Sequence, residues 1–417
     1  MINRRDFLFC GSLSLAALAA PGAWATPDNG SQLLPLRPGE VLGDPDFSLL
    51  ATDWAIAGLR PCRKGGVKLE VDRGTDIAKD RKVLIHNFGH GGAGITLAWG
   101  CADQVRELAQ VELRDRLQKP PAAAKVIVVG AGAIGLATAA ELKRWMPAMD
   151  VMVVADNVDA AGNPVHNQTT SWKAGGQFEP SGLWREYFEH NTLPVLHDLV
   201  RRSSVRIREL SRQGIQADYG IADRKNYLLA SGDARGFELG IPCDVVPAAR
   251  TGLLPFAQLS NDVGKEYSTW LINPTILLPK LVSDLRAANV RFEKRKLSSR
   301  AQLLALEADI VVNCTGLGAR DILHGTGLTA MRGQLVVLQN PAQLDYLFSG
   351  GCGADTAYMF CRQNDIVIGG TFEAAESLDV PEASYRTILK RMQRIFNGDI
   401  TACRHDAGTT PDRQCTL

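Results

Sequence analysis

At 417 residues the chain is too long for one ordinary hydrophobic core, so two domains or one large composite are expected. Its hydrophobic content of 45% and charged content of 22% are those of a globular protein in water, not of a disordered or fibrous chain. A net charge of +1 leaves no electrostatic footprint for nucleic acid or a membrane surface, so neither is expected as a partner.

In chain order, Arg4-Arg5 precede Phe7-Leu8 and an apolar run, and Ala23-Trp24-Ala25 has the form of an A-x-A cleavage site. This predicts a secretory signal of the twin-arginine type over residues 1–25, with the mature protein periplasmic or secreted. The apolar run is shorter than the ~20 residues a span requires, so no stable membrane span is expected after signal removal. Twin-arginine export carries folded proteins, which suits one that takes up a cofactor in the cytoplasm. Of nine cysteines, Cys10 leaves with the signal. The others show no C-x-x-C pair and no metal-ligand spacing, so no metal site is expected. Cys403 with Cys415 is the easiest disulfide to form, and Cys314 reads as a small buried residue.

Residues 26–45, rich in Pro, Gly and Asn, read as a linker. "FSLLATDWAIAGLRP" is strand-like up to its proline, and "GVKLEVDR" alternates like a half-buried strand. "KVLIHNF" is a third strand, running into a glycine loop and a helix from about Thr96 to Leu117, which "QKPPAAA" ends. "KVIVVGAGAIGLATAAELKRW" reads as buried strand, glycine turn and helix, and "MDVMVVADN" as the next strand. Residues 181–270 mix helical stretches with turns. A helix and strand follow at 274–297, and a buried strand with a glycine turn at 306–320. "RGQLVVLQ", "TAYMFCRQ" and "DIVIGGTFE" predict antiparallel strands, "EASYRTILKRMQRIF" a last helix, and 401–417 a disordered tail.

The spacing Gly130-x-Gly132-x-x-Gly135 lies between a strand and a helix. The first glycine permits the tight turn, the second lets a pyrophosphate approach the backbone, and the third lets helix and strand pack closely. Anionic phosphate then meets the unpaired N–H groups of the helix N-terminus. Asp156, 21 residues after Gly135, ends the next strand where a carboxylate bonds a ribose hydroxyl. These residues predict a dinucleotide site without separating NAD from FAD. The late apolar strand "DIVVNCTG", ending in small polar residues and a glycine, is of a kind that recurs in two-domain flavoproteins.

With these elements in place, "HNFGHGGAGITLAWGCA" resembles the carboxy-terminal flavin-binding signature of the D-amino-acid oxidase family. "GLRPCRKGGVKLE" resembles the segment preceding that signature, and "TTSWKAGGQFEP", "VNCTG", "RGQ" and "AYMF…IVIGGTF" also match at family spacing. In the family the glycine–histidine signature comes last; here it comes first, at 58–105, as if the family's carboxy-terminal piece had been circularly permuted to the front. Old termini that lie close together at the surface make such a rearrangement tolerable.

The resemblance implies an α/β (α+β) fold: a Rossmann-like FAD-binding domain with a mixed or antiparallel-sheet substrate domain, discontinuous in sequence. Residues 46–80 would then be substrate-domain strands, 81–118 the flavin-binding loop and helix, and 119–180 the dinucleotide-binding strand, turn, helix and following strand. Residues 181–267 and 331–400 would belong to the substrate domain, and 268–330 to the FAD domain. Gly130, Gly132, Ala133, Ile134, Gly135, Asp156, Thr315 and Gly176 are implied FAD contacts. Thr169, Thr170 and Ser171 match a pyrophosphate-binding trio. Gly91, Gly92, Gly94, Ile95 and Thr96 would touch flavin at a helix N-terminus that stabilises negative charge on it.

Arg60 matches the arginine that grips the substrate carboxylate as a fork, Tyr358 the tyrosine that also binds it, and the Gly92 carbonyl an acceptor for the amine. Two departures bear on the substrate. A second family tyrosine is replaced by Ala354, which widens the pocket, and a glutamine facing the ring is replaced by Glu179, which favours a basic or amino-bearing substrate. The implied reaction oxidises a D-amino acid to the 2-imino acid, which hydrolyses to the 2-oxo acid and ammonia, with O2 reduced to H2O2. Positioning by the protein and the electrostatics of FAD supply the rate. The alternatives are an FAD-dependent D-amino-acid dehydrogenase serving a quinone or carrier, and a D-aspartate or glycine oxidase. A homodimer is left open.

Overall fold

Two sheets share the chain, and the reason for each can be read from its strands. The computed structural model describes residues 33–74, 82–229, 235–351 and 356–399. The smaller sheet is built from β2 (Lys68–Val71), β3 (Val83–Phe88), β10 (Ile310–Asn313), β4 (Lys125–Val129), β5 (Asp150–Ala155) and β9 (Arg291–Lys294), in that spatial order. All pairs are parallel except β2–β3. Strands such as "VLIHNF", "KVIVV" and "IVVN" are apolar without alternation because both faces are covered. Ile85, Val126, Val128, Val153 and Val312 face α1 (Gly94–Glu112), α2 (Ala133–Trp145) and α6 (Pro274–Ala287). Leu84, Ile127, Val154 and Val311 pack against Leu303 of α7 (Arg300–Leu304) and Ile322 of α8 (Ala319–Ile322).

The larger sheet runs in the order β1 (Leu50–Arg63), β11 (Leu328–Gln339), β14 (Asp365–Gly369), β13 (Ala357–Cys361), β12 (Tyr346–Gly350), β6 (Ile221–Leu229), β8 (Val263–Ile272) and β7 (Arg250–Leu253). It is mixed, since β12 and β6 are parallel and the other pairs antiparallel. One face is sealed by α9 (Glu382–Phe396), whose Tyr385, Ile388, Leu389, Met392, Ile395 and Phe396 recur at helical spacing and pack on Val336, Met359 and Ile368. The other face carries Leu335, Val337, Leu347, Phe360 and Val367 and looks toward the nucleotide-binding half.

Several boundaries differ from the sequence reading. β1 does not stop at its proline but continues through Pro61 to Arg63. β1 is an edge strand, where a missing N–H costs no ladder bond. The helix after the glycine loop starts at Gly94 and is α-helical to Glu112; a π turn, Leu113–Leu117, completes it, and Gln118 ends it with φ 50°. β2, grouped from sequence with the substrate strands, pairs with β3 in the smaller sheet. The last part of the expected linker is held to β7 and the residues after it: Leu36 N–H donates to Leu253 O and Leu42 N–H to Pro255 O. Within 181–270, β6, β7 and β8 join α3 (Leu183–Glu189), α4 (Leu193–Arg212) and α5 (Arg235–Gly240). The signal, Ala354, Cys403 and Cys415 lie outside the described residues. Cys314 is buried, as expected, and burial pushes its thiol up to about 12.

Candidate active site

The carboxyl edge of the smaller sheet carries two glycine-rich helix entrances, one on either side of β10. On one side β4 turns at Gly130 into α2; on the other β3 runs through Gly89–Ala93 into α1. Open parallel sheets bind ligands along this edge. Two of the three dinucleotide-motif glycines have a steric reason. Gly130 has φ 117°, and a Cβ there would collide with Cys314 O; one on Gly135 would collide with Gly130 O. Gly132 precedes the helix, Ala133 opens it, and Ile134 gives its carbonyl to the Thr138 hydroxyl at 2.7 Å. Thr315, beyond β10, lies against Gly130, with its hydroxyl donated to Asn313 Oδ1 at 2.7 Å. Asp156 is exposed just past β5, at the same edge.

At the second entrance, Gly91 has φ 54° and donates its N–H to Pro61 O at 2.9 Å, which ties the glycine loop to β1. Gly92 lies against Arg60: a Cβ on it would stand 3.5 Å from Arg60 Cδ and 3.1 Å from Ser181 O. Gly94 opens α1, and Ile95 and Thr96 are buried in its first turn. The Thr96 hydroxyl is used within the protein, donating to Glu179 O at 2.9 Å.

A strap, residues 166–180, crosses between the sheets. Its Ser171 Oγ accepts the Ala133 N–H at 3.0 Å, at the N-terminus of α2. Thr170 donates to Leu59 O at 2.8 Å and Thr169 to His166 O at 2.7 Å, so of the trio only Ser171 reaches the helix entrance through its side chain. Gly176, with φ 103°, lies against β8: its carbonyl accepts the Ile272 N–H at 2.7 Å, and a Cβ would strike Ile272 O.

On the sheet face beneath the strap, two polar side chains lie over glycines. The Arg60 guanidinium covers Gly333, and the Tyr358 hydroxyl covers Gly369; a Cβ at either glycine would displace them. Gly369 pairs with Leu335, so Gly333 is its diagonal neighbour on the same face, ~7–8 Å away. Arg60 is half-buried. Its Nη1 donates to Thr371 O at 3.1 Å and its guanidinium lies 5.2 Å from the Phe372 ring centre. Among the described residues no carboxylate pairs with it. Tyr358 stacks on Phe360 at 4.6 Å, and its hydroxyl has no hydrogen-bond partner there either. A guanidinium with no carboxylate on it beside such a hydroxyl suits a carboxylate. Gly333 and Gly369 were missed from sequence; the available signal was a glycine inside an otherwise apolar strand.

Glu179 belongs to a polar cluster on the same side of the larger sheet. Its Oε2 accepts from Gln177 Nε2 at 3.0 Å, which also donates to the Tyr267 hydroxyl at 3.0 Å; Asn226 Nδ2 donates to that hydroxyl at 2.6 Å. Burial first, and the Glu179 charge second, push the Tyr267 hydroxyl well above its ordinary range. Asn226 Oδ1 is buried without a partner among the described residues. Gly236 of α5 leaves room for the Glu179 carboxylate.

Orphaned groups also stand along the nucleotide edge: His90 Nε2, Asn157 Nδ2 and His166 Nδ1 are buried with no hydrogen bond among the described residues. Burial drives His90 down to about 3 and lowers His166, so both imidazoles are neutral. Neutral donors and acceptors without partners, and backbone kept bare by glycine at two helix N-termini, fit an FAD laid along this edge.

The chain belongs to the FAD-dependent oxidoreductase family typified by D-amino-acid oxidase, whose family model matches residues 125–415. A D-amino-acid oxidase from Streptomyces coelicolor is 28% identical over 301 residues, covering 69% of this chain and 83% of that one. The human D-aspartate oxidase is 23% identical over 304 residues, covering 70% and 82%. Among solved structures, glycine oxidase from Bacillus cereus is 14% identical over 64% of this chain and 77% of that one, with a TM-score of 0.44.

Proposed function

We propose that this protein is an FAD-dependent oxidase of D-amino acids. The observation that carries the reading is the pair formed by Arg60, which has no carboxylate partner among the described residues, and Tyr358, whose hydroxyl has no hydrogen-bond partner there, on a glycine floor facing the two helix entrances. FAD, when bound, supplies the two-electron acceptor; this chain's residues hold the substrate. Arg60 takes both carboxylate oxygens, and Tyr358 donates to one of them. The Gly92 carbonyl accepts from the amine, next to the Arg60 stem. Holding the carboxylate and the amine on Cα restricts the direction of its hydrogen, and this positioning is where most of the rate comes from. Leu335 and Phe360 on the sheet face keep water from the bound carboxylate. The 2-imino acid leaves and hydrolyses to the 2-oxo acid and ammonia, and O2 is reduced to H2O2.

Glu179 disfavours a substrate with a second carboxylate and favours a basic or amino-bearing side chain, which sets this chain apart from a D-aspartate oxidase. The segment 58–105 stands for the family's carboxy-terminal piece moved to the front. Support for this comes from the family match beginning at Lys125 and from β3 and α1 bracketing the same edge as β4 and α2. Export by the twin-arginine route is part of the proposal; with Arg4 and Arg5 both changed to Lys, precursor should accumulate in the cytoplasm.

The deciding experiment mixes purified yellow protein anaerobically with D- and L-amino acids. Bleaching by D-amino acids only, followed by recovery of the flavin band and peroxide release on admitting air, is the expected result. Recovery only with a quinone would assign a dehydrogenase, and colourless folded protein that cannot be reconstituted with FAD would overturn the cofactor.

A further inference from the structure

The strap carries a cation that neither the dinucleotide turn nor the carboxylate grip uses. We propose that Lys173 is the counter-charge of the flavin ring, its ammonium lying beside the isoalloxazine and stabilising the negative charge the ring gains on reduction. The inference rests on the FAD reading.

Position comes first. Lys173 stands two residues after Ser171, which meets the N-terminus of α2, and two before Gly175, whose added Cβ would lie 2.8 Å from the Phe360 ring. Its stem covers Gly58 of β1: a Cβ on Gly58 would be 3.3 Å from Lys173 Cβ and 3.6 Å from its Cδ. Gly58 pairs directly with Gly333, and Gly333 is the residue that the Arg60 guanidinium covers. Directly opposed positions lie about 5 Å apart, so the Lys173 stem and the Arg60 guanidinium are neighbours on one face.

Charge comes second. Lys173 is half-buried, and that burial lowers its ammonium's pKa. Among the described residues neither Lys173 nor Arg60 has a carboxylate partner. A lysine ordinarily runs its stem over apolar surface and places its head in water or on an anion. Two cations drawn together without an anion call for negative charge from outside the chain. The substrate's α-carboxylate is taken by the Arg60 fork. The diphosphate belongs at the N-terminus of α2, where Ser171 stands; the stem of Lys173 leads away from there, onto Gly58. What remains is the ring, which the strap and the sheet face would hold between them.

The test compares FAD-loaded wild type with Lys173→Met and Lys173→Arg, first without substrate and then by steady-state turnover of a panel of D-amino acids. Bound FAD is measured first; its absence from wild type itself would be a failure of the FAD reading. Sulfite affinity is then titrated through the flavin absorbance, and the two-electron midpoint potential is read against a redox dye. Lys173→Met should weaken sulfite binding at least tenfold, equivalent to about 30 mV of potential, while Lys173→Arg stays within about threefold of wild type. Unchanged affinity and potential in Lys173→Met would overturn the proposal, as would equal shifts in both variants, which would mean size rather than charge. Loss of FAD from Lys173→Met would assign the ammonium to the diphosphate, and a raised KM confined to D-aspartate and D-glutamate would assign it to substrate; either result also overturns it.

Discussion

Replacing Arg60 by alanine tests the carboxylate grip most directly. The guanidinium is already oriented: one nitrogen is on Thr371 O at 3.1 Å, its central carbon lies 5.2 Å from the Phe372 ring centre, and Gly333 leaves the space it fills. Little side-chain entropy therefore remains to be lost when a carboxylate arrives, and a partly buried charge-assisted fork contributes about 2–4 kcal/mol to transition-state binding. Arg60→Ala should lower kcat/KM by about one and a half to three decades. Lysine should restore part of the loss, keeping charge without the fork. FAD content should not change, because Arg60 stands on the larger sheet, away from the α2 entrance. The assay is steady-state oxidation of the best D-amino acid at equal flavin loading. An alanine variant of near-normal efficiency would refute the reasoning and with it the pocket built around Gly333 and Gly369.

Gly333→Ala should push the guanidinium off its floor with its charge retained, costing roughly 10- to 100-fold in kcat/KM with normal FAD content; unchanged kinetics would show that the floor is dispensable. Gly130→Ala, at φ 117° and against Cys314 O, should yield protein with little bound flavin, read by absorbance ratio. His90 is held neutral, with a folded value of about 3. Because its folded pKa lies below the unfolded ~6.5, its contribution to stability is complete above that pH and is lost as pH falls toward 3, at up to about 1.4 kcal/mol per pH unit. Denaturant midpoints of the apoprotein should fall from pH 7 to 4, with a shallower slope in His90→Gln.

The elements legible in the sequence were those whose signal is local. Gly130, Gly132 and Gly135 announce a strand–helix turn by spacing alone, and the structure supplies a steric reason for two of them in Cys314 O and Gly130 O. The apolar runs of β3, β4 and β10 read as buried strands for the same reason. What escaped depends on pairing between distant segments. β6 and β8 alternate too weakly to stand out among turns, and become strands because β6 pairs with both β8 and the distant β12, while β7 adds to β8 as a hairpin. Leu36 looked like linker because nothing nearby shows that β7 offers it a carbonyl. Gly333 and Gly369 look like weak points in strands until Arg60 and Tyr358, from other strands, are laid over them.

The order of the chain's pieces is open to direct test. β1 joins the larger sheet beside β11, while β3 and α1 complete the smaller one, so residues 46–118 serve both halves though they precede β4. The two ends that a reordered chain must join are already close: the Phe47 and Phe396 ring centres are 5.9 Å apart. The connector to be opened, 118–124, holds on mainly through Lys119, whose Nζ lies 2.7 Å from Asp309 Oδ2. Closing a short loop costs little entropy, and opening one releases a similar amount, so exchanging one connection for the other should be nearly neutral. A gene encoding 119–399, a short Gly/Ser linker and then 46–118 should give protein that binds FAD and oxidises the same substrates within about tenfold of the parental order, a difference of ~1.4 kcal/mol. The measurements are flavin content, denaturation midpoint and kcat/KM. A soluble product with neither flavin nor activity would show that residues 46–118 must be in place before β4 folds, and that their position at the front is a requirement of this chain.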